Sequence, residues 1–533
     1  MKPSPHSLLL AALLSSASHV AAVHLSLRGQ LESAPAPALA RRGHISGLNN
    51  GQNVNYYTNI TLGGQDFSVL VDTGSSDLYV AGSVPNAKDT GTSTAVVYAI
   101  GSAQGPIKTS KLDFAGYTVN DQAFLELTAD ADHKSGEGLI GLGPNTGSEI
   151  WTKLGQKTAG AAVVDRIFLQ NMTTSNFLTV LLGRSDDPDD RFPGDLTLGE
   201  LVSGYEAVLN QPKLNVTEVG KKDSQKGLQH WQVLLDAQGV VGPDGQVIPL
   251  TTGVAGTKNK KKLTAIFDTG FTLPQVPKAM ADAIYSRFDG ATYTNVTGVG
   301  AVYTLPCEIE VNVTIKIAGR AYPVHPLDTN LDLNLNLKKT AGKKTCIGSF
   351  QPITTGASPT YDMILGMAFL RNAYLLVNYG DFLEGSNSTT ADPYIQLLSL
   401  TNDTAEAHQD FVQVRLDGDD RTGSQRLSAS NSSSISSPSS SDDDDGSESF
   451  FDKHKTAVII GAAVAGGLVL LGALAGVALC LGRKRQARMS AGKPLVYRPL
   501  HEPAPAGEMD QVQGYQAGTR YHNPWEQRPA QGR

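Results

Sequence analysis

The sequence predicts a mostly β protein whose folded part consists of two related halves, and three observations indicate this. The 533 residues include 55 glycines and 27 prolines, a share a little above the average of about 12%. Short apolar runs separated by turn residues recur along the chain, as expected for strands. The tripeptide Asp-Thr-Gly occurs twice, each time directly after an apolar run. A strand-rich fold with an internal duplication accounts for all three.

Strands are predicted where apolar and β-branched residues follow one another between turn residues. The first two, residues 56–62 and 67–71, are separated by a Gly-Gly pair. Similar runs cover residues 177–182, 230–235, 311–317 and 374–378. The best helical pattern spans residues 278–288, directly after Pro277.

The N-terminal segment predicts export and processing. Residues 1–22 have the features of a secretory signal peptide: Lys2 is the positive end, residues 8–14 are apolar, and small residues precede a cleavage site after Ala22. A buried apolar segment is the alternative. Arg41-Arg42, in an exposed and proline-rich context, predict the end of a short propeptide, residues 23–42, and hence a zymogen. An ordinary basic surface pair is the alternative there.

A second apolar run predicts a single-pass transmembrane helix over residues 456–481. Its 26 uncharged residues would extend about 39 Å as a helix, more than the roughly 30 Å hydrocarbon core of a bilayer. Arg483, Lys484 and Arg485 follow, so the positive-inside rule places this flank in the cytosol and the N-terminal part outside. We therefore expect a type I membrane protein of the secretory pathway, in the plasma membrane with an extracellular ectodomain.

The segments on either side of this helix have few apolar residues and are predicted to be disordered. They are a Ser/Asp-rich stalk, residues 417–455, and a cytoplasmic tail, residues 482–533. Residues 43–416 remain as the folded ectodomain. Eight Asn-x-Ser/Thr sequons lie on the predicted outside and predict glycosylation. They are Asn59, Asn171, Asn215, Asn295, Asn312, Asn387, Asn402 and Asn431.

Composition excludes several classes of function. The net charge of −7 provides no electrostatic footprint for nucleic acid. Three cysteines are too few for a disulfide-dense scaffold or a Cys-rich zinc module. The chain contains neither an H-E-x-x-H pair nor a G-x-S-x-G elbow. Neither a metal nor a cofactor is expected.

The duplicated Asp-Thr-Gly sequences carry the predicted chemistry. Asp72 follows one apolar run, and Asp268 follows another 196 positions later. Each is followed downstream by an apolar-apolar-Gly element, residues 139–141 and 364–366. Glycine adopts backbone angles that other residues resist, so the chain is expected to turn sharply and expose the carboxylate at the strand tip.

Two such tips brought face to face place two carboxylates within hydrogen-bonding reach, where they share one proton. A pair of this kind can hold a water molecule, deprotonate it and protonate a leaving amide nitrogen. A lone Asp-Thr-Gly is as easily explained as a simple turn. Two copies in the same context favour a catalytic pair.

At these positions the chain resembles the pepsin-like aspartic peptidases, over nearly all of residues 43–400. Residues 72–78, Asp-Thr-Gly-Ser-Ser-Asp-Leu, are similar to the first active-site motif of that family, and residues 98–105 are similar to its flap hairpin. Further similar segments follow in the family's order: residues 122–124, 138–142, 231–233, 364–366 and 369–371.

The resemblance implies a bilobal, mostly β pepsin-like fold with the active-site cleft between two pseudo-symmetric lobes, about residues 43–210 and 211–416. It implies a monomeric aspartic endopeptidase that acts on polypeptides at acidic pH. It also implies specific roles: catalysis by Asp72 and Asp268, support by Thr73, Gly74, Ser75, Thr269 and Gly270, a flap with Tyr98, Gly101 and Ser102, and a disulfide between Cys307 and Cys346.

Three departures from the family pattern bear on the site. Tyr79 occupies the position of the tryptophan that usually supports the flap tyrosine. Only 26 positions separate Asp72 from Tyr98, so a loop with a small disulfide is missing. Phe271 occupies the position of the Ser or Thr that usually donates to the second carboxylate. Two other functions therefore stay open: a catalytically silent surface binding protein, and a structural cell-surface glycoprotein.

Overall fold

Five β-sheets make up most of the regular secondary structure among the described residues of the computed structural model. The structure describes residues 23–26 and 28–30 (backbone only), 55–98, 102–170, 175–184, 194–219, 229–297, 299–333, 335, 337–340, 342–354, 358–380 and 392–428. These all lie within one compact unit, residues 1–435. The predicted signal peptide, transmembrane helix and cytoplasmic tail lie outside the described residues, as do Gly101, Asn171, Asn387 and Asn431.

The first half of the described chain contains short helices among long strands. The strands are β1 (Val23–Ser26), β2 (Arg28–Gln30), β3 (Asn55–Leu62), β4 (Gln65–Asp72), β5 (Leu78–Ala81), β6 (Lys88–Val97), β7 (Ser102–Phe114), β8 (Tyr117–Leu127), β9 (Glu137–Gly141), β10 (Phe177–Leu182) and β11 (Gly194–Leu198). The α-helices are α1 (Glu149–Lys153) and α2 (Val163–Gln170). Short 3-10 helices cover Asn145–Gly147, Thr158–Gly160 and Glu206–Asn210.

The second half has shorter strands and four α-helices among its described residues. The strands are β12 (Leu214–Asn215), β13 (Gln232–Leu234), β14 (Val240–Val241), β15 (Thr264–Phe267), β16 (Gln275–Val276), β17 (Thr292–Val296), β18 (Gly300–Pro306), β19 (Val313–Ile317), β20 (Arg320–Val324), β21 (Asn330–Leu331), β22 (Thr345–Gly348), β23 (Gln351–Pro352), β24 (Met363–Leu365), β25 (Ala373–Asn378) and β26 (Tyr394–Ser399). The helices are α3 (Lys278–Tyr285), α4 (Pro326–Thr329), α5 (Met367–Leu370) and α6 (Thr404–Leu416), and a 3-10 helix covers Thr422–Ser424.

Each lobe has its own sheets. The N-terminal lobe contains an eight-stranded sheet with the order β2-β3-β4-β9-β5-β8-β7-β6. The C-terminal lobe contains a five-stranded sheet, β13-β15-β24-β16-β23, a four-stranded sheet, β17-β18-β22-β21, and a three-stranded sheet, β14-β19-β20. The parallel pair β15–β24 repeats the parallel pair β4–β9 of the first lobe.

A six-stranded sheet joins the two lobes. Its order is β1-β11-β10-β25-β26-β12, so β10 from the first half lies antiparallel beside β25 from the second. The largest cluster of buried apolar side chains likewise draws on both halves and includes Phe67, Phe124, Trp231 and Phe369. The mostly β, bilobal architecture predicted from the sequence is confirmed.

The segment predicted to be a propeptide contributes two edge strands. β1 pairs antiparallel with β11, and β2 pairs antiparallel with β3. Backbone pairing therefore places part of residues 23–42 at the edge of the interlobe sheet and part at the edge of the eight-stranded sheet.

The folded chain extends past the boundary that the sequence predicts. After α6 it continues to Ser428, whose N–H donates to the Arg287 carbonyl at 2.9 Å, and Leu427 forms a β-bridge with Phe288. The predicted start of a disordered stalk at Asp417 is therefore wrong. A polar composition concealed this because residues 417–428 are held mainly by hydrogen bonds, both main-chain bonds and side-chain bonds such as that from the Thr422 N–H to Asp420 at 2.9 Å.

A buried cluster of charged side chains links the two lobes. Arg184 follows β10 and donates to Asp328 of α4 through Nη2 at 2.5 Å, and Arg371 donates through Nε at 2.6 Å. Asp328 is 1% exposed. Burial alone would raise the pKa of Asp328, but the two guanidinium groups outweigh it and hold that pKa well below its ordinary value.

We expect Asp328→Asn to lower the free energy of unfolding by about 3–5 kcal/mol near neutral pH, because it leaves two buried guanidinium groups without their anion. A depressed carboxyl pKa contributes stability above its unfolded value of about 3.9 and loses it as the pH falls toward the folded value. The difference from wild type should therefore shrink below about pH 4. Urea unfolding at several pH values measures it. Lys88→Gln, which breaks the exposed Lys88–Asp121 pair, is the control and should change little.

Candidate active site

Two matching strand-and-loop units carry the Asp-Thr-Gly sequences. β4 ends at Asp72, which lies opposite Gly141 of the parallel strand β9. β15 ends one residue before Asp268, and its Phe267 lies opposite Leu365 of the parallel strand β24. The strand after each loop runs antiparallel to the same partner, β5 along β9 and β16 along β24. The repeated sequence pattern is thus a repeated structure.

The glycine of each apolar-apolar-Gly element lies against the Asp-Thr-Gly loop of its own lobe. A Cβ on Gly141 would lie 2.5 Å from the Asp77 nitrogen, and a Cβ on Gly366 would lie 2.3 Å from the Phe271 carbonyl oxygen. Both distances are shorter than a non-bonded contact allows. Glycine at these two positions lets each Asp-Thr-Gly loop pack directly on its sheet.

The two threonines brace the loops against each other. The Thr73 N–H donates to the Thr269 hydroxyl at 3.0 Å, and the Thr269 N–H donates to the Thr73 hydroxyl at the same distance. Each hydroxyl in turn donates to a carbonyl of the opposite strand, Thr73 to Phe267 at 2.9 Å and Thr269 to Val71 at 2.7 Å. Both threonines are fully buried. This symmetric set of bonds fixes the two loops in one arrangement.

The brace brings the two carboxyl groups together at a nearly closed site. Asp72 is 5% exposed and Asp268 is 6% exposed. A Cβ on Gly74 would lie 2.0 Å from Asp268 Oδ2, and a Cβ on Gly270 would lie 2.6 Å from Asp72 Oδ1. Neither glycine has a positive φ. The sequence-based reason for these glycines, unusual backbone angles, is therefore wrong: they make room for the facing carboxylate.

Hydrogen bonds and burial distinguish the two carboxyl groups. Asp72 accepts from the Gly74 N–H at 2.8 Å and from the Ser75 hydroxyl at 2.5 Å. Asp268 accepts from the Gly270 N–H at 2.7 Å. Burial, together with the charge of Asp72, raises the pKa of Asp268 well above its ordinary value. The pair is therefore suited to hold one proton between two acids.

Comparison with known proteins identifies the family. A family model for eukaryotic aspartyl proteases matches residues 55–382. The chain belongs to the eukaryotic aspartyl protease family. It is an aspartic-type endopeptidase, as the sequence predicted, and neither the silent binding protein nor the structural glycoprotein is favoured.

Relatives and solved structures agree with this assignment. Major aspartyl peptidase 1 of Cryptococcus neoformans var. grubii is 26% identical over 394 residues, which cover 66% of this chain and 73% of that protein. Cathepsin D of Dictyostelium discoideum is 26% identical over 376 residues, 63% of this chain and 86% of that protein. The crystal structure of the aspartic proteinase from Irpex lacteus has a TM-score of 0.51 and 18% identity, covers 72% of this chain and 99% of its own, and supports the fold.

A β-hairpin of this aspartyl protease lies beside the carboxyl pair. β6 and β7 pair antiparallel from Lys88 to the end of the hairpin, where Val97 lies opposite Ser102. Tyr98 follows β6, with its ring among buried side chains of the same sheet. Burial raises the pKa of the Tyr98 phenol well above its ordinary value. Ser75 lies near the phenol, but the buried phenol oxygen makes no hydrogen bond. Ser102 is exposed, and Gly101 lies outside the described residues.

The ring of Tyr98 packs against a second aromatic ring, which packs against a third. The ring of Tyr79 lies 6.1 Å from that of Tyr98, centroid to centroid, at an angle of 52°. His133 packs edge-on against the other side of Tyr79 at 5.9 Å. The Tyr79 of this protease therefore supports the hairpin tyrosine by ring packing, and a histidine from the loop before β9 extends the stack. The sequence analysis missed His133.

Because Phe271 replaces a hydroxyl residue of the family pattern, the two carboxyl groups have different hydrogen-bond donors. Ser75 provides a hydroxyl to Asp72, whereas Phe271 has none to give to Asp268 and offers its backbone N–H instead. The Phe271 carbonyl accepts from the Met367 N–H at 2.7 Å, which anchors this loop to α5.

His230 is a second residue that the sequence analysis missed as part of this site. Its Nδ1 lies 2.9 Å from the Gly74 carbonyl oxygen, between the two catalytic-loop units. The only sequence signal was its place directly before residues 231–233, a segment that resembles the family.

The remaining predicted positions lie away from the carboxyl pair. Cys307 and Cys346 form the predicted disulfide, 39 residues apart in sequence. The asparagines of five sequons are described, and all five are exposed, as glycosylation requires. They are Asn59, Asn215, Asn295, Asn312 and Asn402.

Proposed function

We propose that Asp72 and Asp268 together hydrolyse peptide bonds in polypeptide substrates at acidic pH. The observation that supports this is the symmetric threonine brace, which holds two buried carboxyl groups face to face with a glycine beside each. Asp72 accepts hydrogen bonds from the Gly74 N–H and the Ser75 hydroxyl, and the raised pKa of Asp268 favours its protonated form, so the proton is proposed to reside on Asp268. The active state then carries one proton on the pair.

We propose one role for each acid in the reaction. Asp72 accepts a proton from a water molecule whose oxygen attacks the scissile carbonyl carbon, while Asp268 donates its proton to the carbonyl oxygen. The resulting diol collapses when Asp72 gives its new proton to the amide nitrogen, the C–N bond breaks, and Asp268 recovers a proton from the diol. The pair thereby returns to its starting state without a metal or cofactor among its reactants.

The hairpin β6–β7 is proposed to cover the substrate. Its Tyr98 lies near Ser75, whose hydroxyl donates to Asp72, so closure of the hairpin over a peptide would exclude water from the acids. Gly101 and Ser102 at its end are proposed to contact the peptide backbone, since small residues allow close approach.

The protease is proposed to act outside the cytosol on a membrane anchor. The five exposed sequon asparagines and the disulfide suit the secretory pathway. Among the described residues no helix is long and apolar enough to cross a membrane. The proposed anchor, residues 456–481, lies outside them and rests on its composition. Processing after Arg42 would separate the segment that carries β1 and β2 from the rest of the chain.

A secreted chain that ends at Ser428 tests the proposed function. We expect it to be soluble and to cleave an unfolded protein at acidic pH, with inhibition by a statine-containing peptide. A chain that ends at Leu416 is the comparison: it loses the contacts of Leu427 and Ser428, so its melting temperature should be lower while its kcat stays the same. A folded, monomeric chain to Ser428 without acid-dependent cleavage would contradict the proposal.

Replacing Phe271 should shift the pH range of activity. In Phe271→Thr a hydroxyl can donate to ionised Asp268, and such a bond lowers a carboxyl pKa. The hydroxyl would thus oppose the burial that raises the pKa of Asp268. We expect both limbs of the kcat/KM profile to move toward acid. Phe271→Val, which adds no donor, is the control. Limbs that stay fixed, or move toward alkali, would show that residue 271 does not tune the pair.

A further inference from the structure

His230 connects the Asp72 loop to the C-terminal lobe. Its Nδ1 lies 2.9 Å from the carbonyl oxygen of Gly74. That carbonyl belongs to the peptide that leads into Ser75, whose hydroxyl donates to Asp72 at 2.5 Å. The next carbonyl, of Ser75, accepts from the Gly143 N–H at 2.6 Å within the N-terminal lobe. The two sides of this loop are thus held by different lobes.

The backbone of His230 is fixed to the strand that leads to Asp268. The carbonyl of the next residue, Trp231, accepts from the Phe267 N–H at 3.1 Å. The Trp231 indole donates to the Leu142 carbonyl at 2.8 Å, and the Leu142 N–H donates to the Asp72 carbonyl at 2.7 Å. Residues 230 and 231 therefore reach both halves of the carboxyl pair.

The chemistry of the contact fixes the position of one proton on the ring. A carbonyl oxygen can only accept, so Nδ1 of His230 must carry a hydrogen. Because the charged imidazolium is also protonated at Nδ1, the bond to Gly74 persists when the ring ionises at Nε2. A contact of this kind can hold the loop across the whole acidic range in which the protease is proposed to work.

The ring is enclosed by groups of the site. Tyr361, on the loop before β24, packs against it at 6.0 Å in an edge-to-face arrangement. Burial lowers the pKa of His230. The hydrogen bond to the Gly74 carbonyl and the charge of Asp72 raise this pKa, but burial has the larger effect. Tyr361 in turn lies beside Asp268. Burial of the Tyr361 phenol raises its pKa, and the charge of Asp268 raises it further. Among the described residues, Asp72 and Tyr361 are the ionisable groups that face the ring, and Asp268 lies beyond Tyr361.

We infer that His230 is a positioning residue for hydrolysis: by donating from Nδ1 to the Gly74 carbonyl, it sets the place of the Asp72 loop relative to Asp268. This inference rests on the proposed catalytic roles of the two acids. Small displacements of reacting groups reduce turnover more than substrate binding. Loss of the donor should therefore appear in kcat.

Two substitutions separate the hydrogen bond from the charge and the ring. In His230→Asn, the side-chain amide nitrogen occupies the position of Nδ1 and keeps a donor, without a ring or a titrating group. In His230→Phe, the ring and its packing on Tyr361 remain but the donor is lost. We expect kcat to fall about 10- to 100-fold in the Phe variant, with KM within about twofold, and to stay within about threefold of wild type in the Asn variant.

The outcomes decide the inference. Equal losses in the Asn and Phe variants would assign the effect to the titrating imidazole, which both variants lack, rather than to the Nδ1 donor, and would overturn the inference. An unchanged kcat in the Phe variant would also overturn it. If the Phe variant does not fold, nitrogen NMR of histidine-labelled wild-type protein replaces it. We expect a protonated Nδ1 from neutral to acidic pH, and a neutral ring with its proton on Nε2 would overturn the inference. Failure of the catalytic proposal itself is distinct, because Asp72→Asn would then remain active.

Discussion

Asp72→Asn and Asp268→Asn are each expected to abolish peptide cleavage without unfolding the protein. Asparagine is nearly isosteric with aspartate, so the threonine brace and the glycine contacts can remain. It cannot take up or release the proton that the proposed steps pass between water, carboxylate and amide nitrogen. Positioned acid–base groups typically contribute about 10²–10⁴-fold to a rate. Each variant lacks the acid that carries out two of the proposed proton transfers. Turnover should therefore fall below about 1% of wild type.

This expectation is measured as kcat/KM on one fluorogenic peptide, with the melting temperature as the check on folding. Asp121→Asn is the matched control, because Asp121 is exposed on β8, far in sequence from either loop, and its left-handed backbone suits asparagine. The control should retain full activity. A folded Asp72 or Asp268 variant with more than about 1% of wild-type turnover would contradict the assignment of the two acids.

Gly74→Ala is expected to have the second largest effect. Its Cβ would lie 2.0 Å from Asp268 Oδ2 and 2.3 Å from the carboxyl carbon, so the two loops must separate to admit one methyl group. A shift of about 1 Å at a reacting group costs on the order of 100-fold in rate. We expect kcat/KM to fall at least about 100-fold.

Gly256→Ala is the comparison for that variant. Gly256 has an ordinary φ and nothing within 4 Å of the position that its Cβ would take. The same glycine-to-alanine change there should leave kcat/KM near the wild-type value. If Gly74→Ala is as active as Gly256→Ala, the two carboxyl groups are not held as closely as the structure shows.

The local features of the site could be predicted because they repeat in the sequence. Asp72 and Asp268 each follow a strand and precede a glycine, and the partner strands carry their own glycines at Gly141 and Gly366. Such patterns are short and independent of distant residues. The physical reason for the glycines was missed, since only the structure shows that Gly74 faces the carboxylate of the other half.

The contacts of His230 and of strand β1 could not be predicted because they join distant residues that no repeated motif marks. His230 and Gly74 are separated by 156 positions, and a lone histidine before a buried tryptophan carries no periodic signal. The edge strand β1 pairs with residues of β11, and nothing in four residues identifies that partner. Helix α6 did have a signal, Asp403 followed three residues later by Glu406, and the Asp403 side chain accepts from the Ala405 and Glu406 N–H groups.

The pH dependence of kcat/KM for the secreted chain to Ser428 tests most directly whether Asp72 and Asp268 share one proton in the active state. Initial rates on a single fluorogenic peptide, from about pH 2 to about pH 8, are compared with the melting temperature at each pH, so that loss of rate is separated from unfolding. A shared proton predicts a bell, because the rate falls when the pair gains a second proton and falls again when it loses the first. A rate that rises to a plateau and stays there toward neutral pH, in protein that remains folded, would contradict the shared-proton pair.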